Sequence, residues 1–333
     1  MGAGKLSFDA LNAALKAAGE ETRLRVLALV AEAELTVSDL TDILRQSQPR
    51  ISRHLKLLSE AGLVERYREG TWAFFRLAQH GSCAEVARAL VDHLNPTDQT
   101  IARDRARLAS VRSARAAAAQ AYFRAHAAEW DRIRKLHVAD DAVEEAIRAA
   151  LADKAFRSLL DLGTGTGRML ELFGPEIERG LGLDLSLDML LLARDRLERA
   201  GLKNCRVRQG DIYDLPIAND SFDVVILHQV LHFLDDGARA IHEAARVLRP
   251  GGRLLVVDFA PHEQEFLREQ FAHRRLGFAP ETVSQWITAS GLEPVLHRSL
   301  APEPGSEGKI AVSLWLARDT RALMATPQRR EVA

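Results

Sequence analysis

The sequence predicts an α/β protein in unequal parts: a small helical N-terminal region closed by a β-hairpin, a helical linker, and a larger C-terminal region built on a mostly parallel sheet. Three observations carry this. Residues 1–95 hold short helical patterns that end in an alternating apolar stretch. Residues 96–152 are rich in Ala and Arg, with helical periodicity. From Phe156 to Asp319, apolar strand-like runs alternate with helical patterns, the arrangement of βαβ units.

The 333 residues give length for about two domains. A hydrophobic share of 47% and a charged share of 27% suit sizeable cores. Lys plus Arg is 45 against Asp plus Glu at 46, so a polybasic protein is excluded while a local basic patch is not. No run reaches the ~18 apolar residues of a membrane helix, and the first residues lack a signal-peptide core. The chain therefore reads as cytoplasmic, with no membrane partner. Cys83 and Cys205 lack a CxxC or His-spaced partner, so neither a disulfide framework nor a metal site is expected.

In the first region, Leu24, Leu27 and Val30 share one helix face. A second helix is predicted over Ser38–Leu44. Ser47 is placed to cap a third, with Pro49 tolerated in its first turn. Ile51, Leu55 and Leu58 fall within about 40° of one another on that helix, so this face packs inward. Pro49, Ser52, Arg53 and Lys56 lie opposite, and Gln48 and Arg50 stand near its start. A helix–turn–helix with an outward cationic face fits a DNA major groove. Arg53 and Lys56 suit phosphates or guanine edges, Gln48 and Ser52 suit base edges, and Arg50 adds charge. Leu63–Arg68 and Trp72–Leu77, joined by Glu69-Gly70-Thr71, form the hairpin. Arg66, Arg68 and Arg76 alternate there with aromatics, as in a wing lying along a phosphate backbone. Alone, such arginines would more often solvate an outer face; the preceding helix favours DNA.

The runs ETRLRVLALV, SQPRISRHLKLL, AGLVERYREG and TWAFFRL resemble winged helix–turn–helix regulators of the ArsR family, over about residues 6–95. The resemblance implies a double-stranded DNA operator as partner. The helix around Ala84–Leu94 is a candidate dimer element, consistent with a homodimer on a two-fold operator. Metal-sensing members carry paired cysteines where this chain has Leu35-Thr36-Val37-Ser38-Asp39-Leu40. Thr36 and Ser38 are not thiolates, so metal sensing of that kind is not carried over.

Asn95-Pro96 favours a turn and sets the expected boundary, with a helical linker and lid over 96–152. Arg103, Arg105, Arg107, Arg112 and Arg115 are expected to face solvent there.

The C-terminal region, 153–320, opens with a buried strand, Ser158–Leu162. It runs into Gly163-Thr164-Gly165-Thr166-Gly167 and a helix to Phe173. Alternate glycines let the backbone turn sharply beside a ligand, with helix N-terminal amides facing it. A second strand, Gly180–Asp184, ends in an acid placed to accept two ribose hydroxyls. A third ends at Asp211, a fourth spans Phe222–Leu227, and a fifth runs from Arg253 to Asp258. The spacing alone allows a nicotinamide cofactor. GxGxG in place of GxGxxG, and a single nucleoside-type site, argue against one.

This order, with SFDVVILHQVLHFL and RVLRPGGRLLVVDF, resembles class I S-adenosylmethionine-dependent methyltransferases, whose Rossmann-like fold has a seven-stranded, mostly parallel sheet. The resemblance implies S-adenosylmethionine or S-adenosylhomocysteine as cofactor. Asp161, Gly163, Gly165 and Gly167 would hold its methionine end, Asp184 the ribose and Asp211 the adenine amino group. Ile212 and Met189 would pack on the adenine, and Leu227 and His228 would line the pocket. Tyr122 and Trp130 sit where such enzymes place a lid. Met189 serves equally well as helix core, and Asp184 as a cap for the helix after it. Residues 321–333 read as a flexible tail.

Small-molecule O-methyltransferases use a histidine in a run similar to LHQVLHFL as general base, and His232 matches that position. Phe233 stands where those enzymes have an Asp–Trp pair, so a histidine that only packs against the lid or bonds locally stays open as the alternative. They also carry an N-terminal winged helix, used for dimerisation. Two readings follow: an ArsR-type DNA-binding regulator with S-adenosylmethionine or S-adenosylhomocysteine as effector, or a methyltransferase with a small-molecule acceptor whose winged helix serves dimerisation; a single chain that does both is also open.

Overall fold

The computed structural model describes residues 5–129, 140–302 and 309–321. The chain divides into two compact units, 1–117 and 118–333, so the segment expected as a linker is shared between them. Trp130 and the tail beyond Arg321 lie outside the described residues. No helix among those described is long and apolar enough to cross a membrane.

In the first unit, α1 (Phe8–Ala18) and α2 (Glu21–Glu32) precede a short strand, β1 (Leu35–Thr36). Next, α3 (Val37–Leu44) starts in a capping box: Asp39 N–H donates to the Thr36 hydroxyl, and Thr36 N–H to the Asp39 carboxylate. Two local residues thus satisfy both orphan donors at the place where metal-sensing regulators put cysteines. Arg45 ends this helix at φ 53, the left-handed turn between the two helices. Ser47 occupies the N-cap of α4 (Gln48–Glu60) but makes no side-chain cap bond; Pro49 in the first turn removes one donor that would need a cap.

Ile51, Leu55 and Leu58 are at most 1% exposed and join Leu27, Leu40, Ile43 and Leu63 in one core. Each such side chain stabilises by roughly 1.5–3 kcal/mol. His54 is also buried, 3.6 Å from the Glu20 carboxylate; burial lowers its pKa despite that neighbour. The hairpin is β2 (Val64–Glu69) with β3 (Trp72–Leu77), and β1 pairs on the far side of β3. The first unit also holds α5 (Ala84–Asp92).

The helix α6 (Gln99–His126) corrects one expectation. Of the five arginines expected to face solvent, four do not simply face water. Arg105 pairs with Glu32, Arg107 donates to the Ile43 carbonyl, Arg112 to the Glu32 carbonyl, and Arg115 pairs with Asp39. Asp104 is 2% exposed and takes a bidentate pair from Arg25, at 2.6 and 2.8 Å. The helical pattern hid this because the partners lie far away in sequence, and composition cannot show them.

In the second unit, α7 (Asp140–Leu151) precedes a seven-stranded sheet of order β6-β5-β4-β7-β8-β10-β9. Its strands are β4 (Ser158–Leu162), β5 (Arg179–Asp184), β6 (Cys205–Gln209), β7 (Phe222–His228), β8 (Leu248–Phe259), β9 (Glu293–Leu300) and β10 (Val312–Arg318). The first five are parallel; β10 is antiparallel to both neighbours. Interleaved are α8 (Arg168–Phe173), α9 (Leu187–Arg199), α10 (Gly237–Arg246), α11 (Phe266–Gln270) and α12 (Pro280–Ala289). Apolar clusters on the two sheet faces make β4 and most of β7 and β8 buried throughout, as a covered parallel sheet requires. The strand order reverses between β4 and β7, and the crevice at their C-terminal ends is where such sheets bind ligands.

Candidate functional site

The crevice begins with the turn after β4. Gly163, Gly165 and Gly167 have φ of 70, 51 and 83, values that favour glycine. The N–H groups of Gly163 and Thr164 both donate to the Leu183 carbonyl, which ties the loop to β5. A Cβ on Gly182 would lie 2.7 Å from the Thr164 hydroxyl, so the two segments pack at backbone distance. Asp161, 2% exposed, accepts the Thr164 hydroxyl at 2.6 Å.

Asp184 ends β5 and accepts Gly165 N–H and Ser186 N–H, each at 2.8 Å, one on each carboxylate oxygen. Burial pushes its pKa up, partly offset by the N–H groups of Ser186, Gly165 and Leu185. Helix capping falls to Ser186, whose hydroxyl accepts Met189 N–H. The carboxylate therefore bridges the glycine loop and the start of α9 and keeps lone pairs for further donors.

Asp184 pairs in register with Gln209, which sets Asp211 at the neighbouring strand end. Asp211 is exposed and accepts Tyr213 N–H at 2.9 Å; Ile212 beside it is buried. Met189 and Leu227 are buried at 2% and 0%, and His228 is half-buried at the end of β7. Two carboxylates, backbone amides and apolar side chains at one sheet edge match a nucleoside that also carries a cationic chain. The donor set fits S-adenosylmethionine.

Past β7 the chain forms a short 3-10 turn, Leu231–Phe233. His232, 2% exposed, sets Nδ1 2.7 Å from the carboxylate of Asp258, which is fully buried near the end of β8. The same carboxylate accepts the N–H groups of His232 and Phe259. The partner acid comes from the end of the fifth predicted strand and not from the run around His232, a pairing that no local pattern reveals. The His232 ring lies 4.0 Å from that of Phe233, 4.2 Å from His273 and 4.8 Å from Phe259. Tyr122 stacks on His126 and meets Phe271, while Phe123 meets Phe233 at 4.8 Å. Tyr122 thus lies among the aromatics of α6 and α11, with its pKa raised by burial.

In the first unit, Gln48, Arg50, Ser52, Arg53 and Lys56 are all exposed on α4, and Arg66 and Arg68 on β2. Arg76 is placed differently. It pairs with Glu65 and Glu34 and lies over the Tyr67 ring at 5.5 Å, bracing the hairpin base. Glu65 also accepts Gln79 and His80 N–H; burial works against its charge, but these bonds and Arg76 hold its carboxyl below the usual range.

Residues 20–66 match the family model for bacterial regulatory proteins of the arsR family, and residues 160–256 match the methyltransferase domain. The chain is 30% identical over 179 residues to a demethylmenaquinone methyltransferase of Thermobifida fusca, covering 51% of this chain and 74% of that one. It is 33% identical over 120 residues to an uncharacterized methyltransferase, YcgJ, of Bacillus subtilis, covering 36% and 47%. The crystal structure of YcgJ superposes with a TM-score of 0.44 at 21% identity, over 53% of this chain and 97% of that one. The chain spans about half the length of the curated relatives it matches, the Thermobifida protein being covered more fully.

Proposed function

The chain belongs to the methyltransferases and carries an ArsR-family helix–turn–helix ahead of that domain, and on this premise we propose that it is a DNA-binding transcriptional regulator whose C-terminal unit binds S-adenosylmethionine or S-adenosylhomocysteine as effector. The observation that carries the DNA reading is the exposed set Gln48, Arg50, Ser52, Arg53 and Lys56 on one helix, beside exposed Arg66 and Arg68 on the hairpin. A homodimer on a two-fold operator is the expected assembly. The exposed stripe Phe8, Leu11 and Leu15 on α1, with α5, supports it.

Asp161 and the glycine loop would hold the methionine end of the cofactor, Asp184 the ribose and Asp211 the adenine, with Met189, Ile212, Leu227 and His228 around it. Regulation requires the ligand to bind the DNA-competent and incompetent states with different affinity. The test is an operator selected from a random duplex pool, with affinity measured without ligand, with S-adenosylmethionine and with S-adenosylhomocysteine. A change of fivefold or more with either ligand is expected. Equal affinity in all three conditions removes the effector role; failure to select any duplex removes the DNA role.

A second reading, methyl transfer to a small molecule, is favoured by the His232–Asp258 pair. Bound S-adenosylmethionine supplies an electrophilic methyl group. Asp258 holds the Nδ1 proton of His232, so Nε2 is the nitrogen that accepts a proton from an acceptor hydroxyl. The two readings are compatible in one chain. Winged-helix dimerisation without DNA binding is the outcome if no duplex is selected and labelled methyl is transferred.

A further inference from the structure

Two buried donors near the His232–Asp258 pair have no hydrogen-bond partner among the described residues. The carboxamide nitrogen of Gln229 is one; the residue is 8% exposed and follows β7 directly. Its backbone sits at φ 52, a left-handed conformation that is uncommon for glutamine, and is held there by its N–H on the Val257 carbonyl at 2.7 Å. Val257 adjoins Asp258, so the Gln229 backbone stands at the dyad's edge.

Nε2 of His262 is the other. Nδ1 of that ring accepts Gln264 N–H at 3.2 Å, which places the ring proton on Nε2 and makes it a donor. The ring lies 5.7 Å from Phe259 and close enough to His232 and Asp258 to feel their charges. Burial and the neighbouring His232 keep His262 neutral, with a pKa of about 4. An unmade bond on a buried donor costs on the order of 1–3 kcal/mol, so each of these groups calls for an acceptor, which an ordered water or a ligand oxygen supplies.

We infer that Gln229 and His262 hold a second, non-reacting oxygen of the methyl acceptor, whose reacting hydroxyl faces His232. This rests on the methyl-transfer reading. It assigns the acceptor class: a planar aromatic or enolic compound carrying a carbonyl or hydroxyl oxygen next to the one that reacts, seated among Phe233, Phe259 and His273. In the step served by this arrangement, Nε2 of His232 takes the hydroxyl proton. The oxygen's electron pair then forms the bond to the methyl carbon while the carbon–sulfur bond breaks onto sulfur.

The experiment titrates catechol and phenol into the full chain loaded with S-adenosylhomocysteine, by calorimetry. Catechol is expected to bind about tenfold tighter than phenol, since two hydrogen bonds are added. That preference should vanish in the double variant Gln229→Leu/His262→Phe, which should still bind phenol and S-adenosylhomocysteine as the native chain does. Equal binding of the two probes, absence of binding by either, or a preference that survives in the double variant each overturn the assignment. Loss of S-adenosylhomocysteine binding shows that the double variant is misfolded; the single variants Gln229→Leu and His262→Phe then carry the test, each expected to lose about half of the preference on a logarithmic scale. The methyl-transfer reading fails separately, if catechol binds as expected but no labelled methyl group reaches it or any other hydroxylated acceptor.

Discussion

His232 and Asp258 meet at 2.7 Å although 26 residues separate them, one on the turn after β7 and the other near the end of β8. The strand pairing His228↔Val257 forces this meeting, because it sets the two strand ends side by side. An imidazole held through Nδ1 by a buried carboxylate has one tautomer and one free basic nitrogen. His232→Ala and Asp258→Asn should each lower methyl transfer by at least about 10²-fold while leaving S-adenosylhomocysteine affinity within about twofold. Undiminished turnover in Asp258→Asn would show that the pair is only structural.

Asp184 touches the glycine loop and the start of α9 through separate oxygens. Asp184→Ala removes both bonds and the proposed acceptor for ribose hydroxyls. Calorimetry should register a loss of S-adenosylhomocysteine affinity of at least tenfold, with Asp184→Asn intermediate. Unchanged affinity in Asp184→Ala would refute the assigned ribose site.

On the exposed cationic face proposed to meet DNA, Arg53→Ala, Lys56→Ala, Arg66→Ala and Arg68→Ala should each reduce the slope of log affinity against log salt by about 1, if each meets a phosphate. Arg76→Ala should leave that slope unchanged and instead loosen the hairpin, because Arg76 is engaged with Glu65 and Glu34. A slope altered by Arg76→Ala and by none of the others would reverse this placement.

Asp104 is the buried partner of Arg25, and removing it leaves a largely buried guanidinium without its main counter-charge. Asp104→Ala should destabilise the first unit by about 3 kcal/mol, read from the denaturant transition followed at Trp72. A cost below about 0.5 kcal/mol would mean that α6 is not anchored by this pair.

His262 has a pKa of about 4 in the fold, pushed down by burial from the ordinary imidazole value of 6.5. Between these values the unfolded chain takes up a proton that the folded chain refuses, so stability falls as pH drops from about 6.5 to about 4. His262→Phe should flatten that part of the profile, measured as the thermal midpoint at successive pH values. An unaltered slope would place the titration elsewhere.

The parallel core and the cofactor crevice were legible in the sequence because each rests on local chemistry. Leu159, Leu160 and Leu162 announce a strand covered on both faces, and the alternating glycines from Gly163 to Gly167 announce a turn that no other residue would make easily. The α4 face was legible for the same reason, the period of Ile51, Leu55 and Leu58. Relationships that depend on two distant segments were not. Asp258 as partner of His232, the arginines of α6 on Glu32, Ile43 and Asp39, and Arg76 as a brace all come from pairings that no local pattern encodes. Gln229 was invisible because its left-handed backbone is imposed by β8 and not by its own side chain.

A Cβ on Gly163 would lie 2.4 Å from Cγ2 of Val230. The glycine loop and the segment carrying Gln229 and His232 are therefore fitted to each other at atomic contact. In evolutionary terms, positions 163 and 230 are not independent: any side chain gained at the first requires bulk to be shed at the second. Diversification of the acceptor side is thus bounded by the cofactor side, and a designer who reshapes the β7 turn for a new acceptor inherits that boundary at Val230.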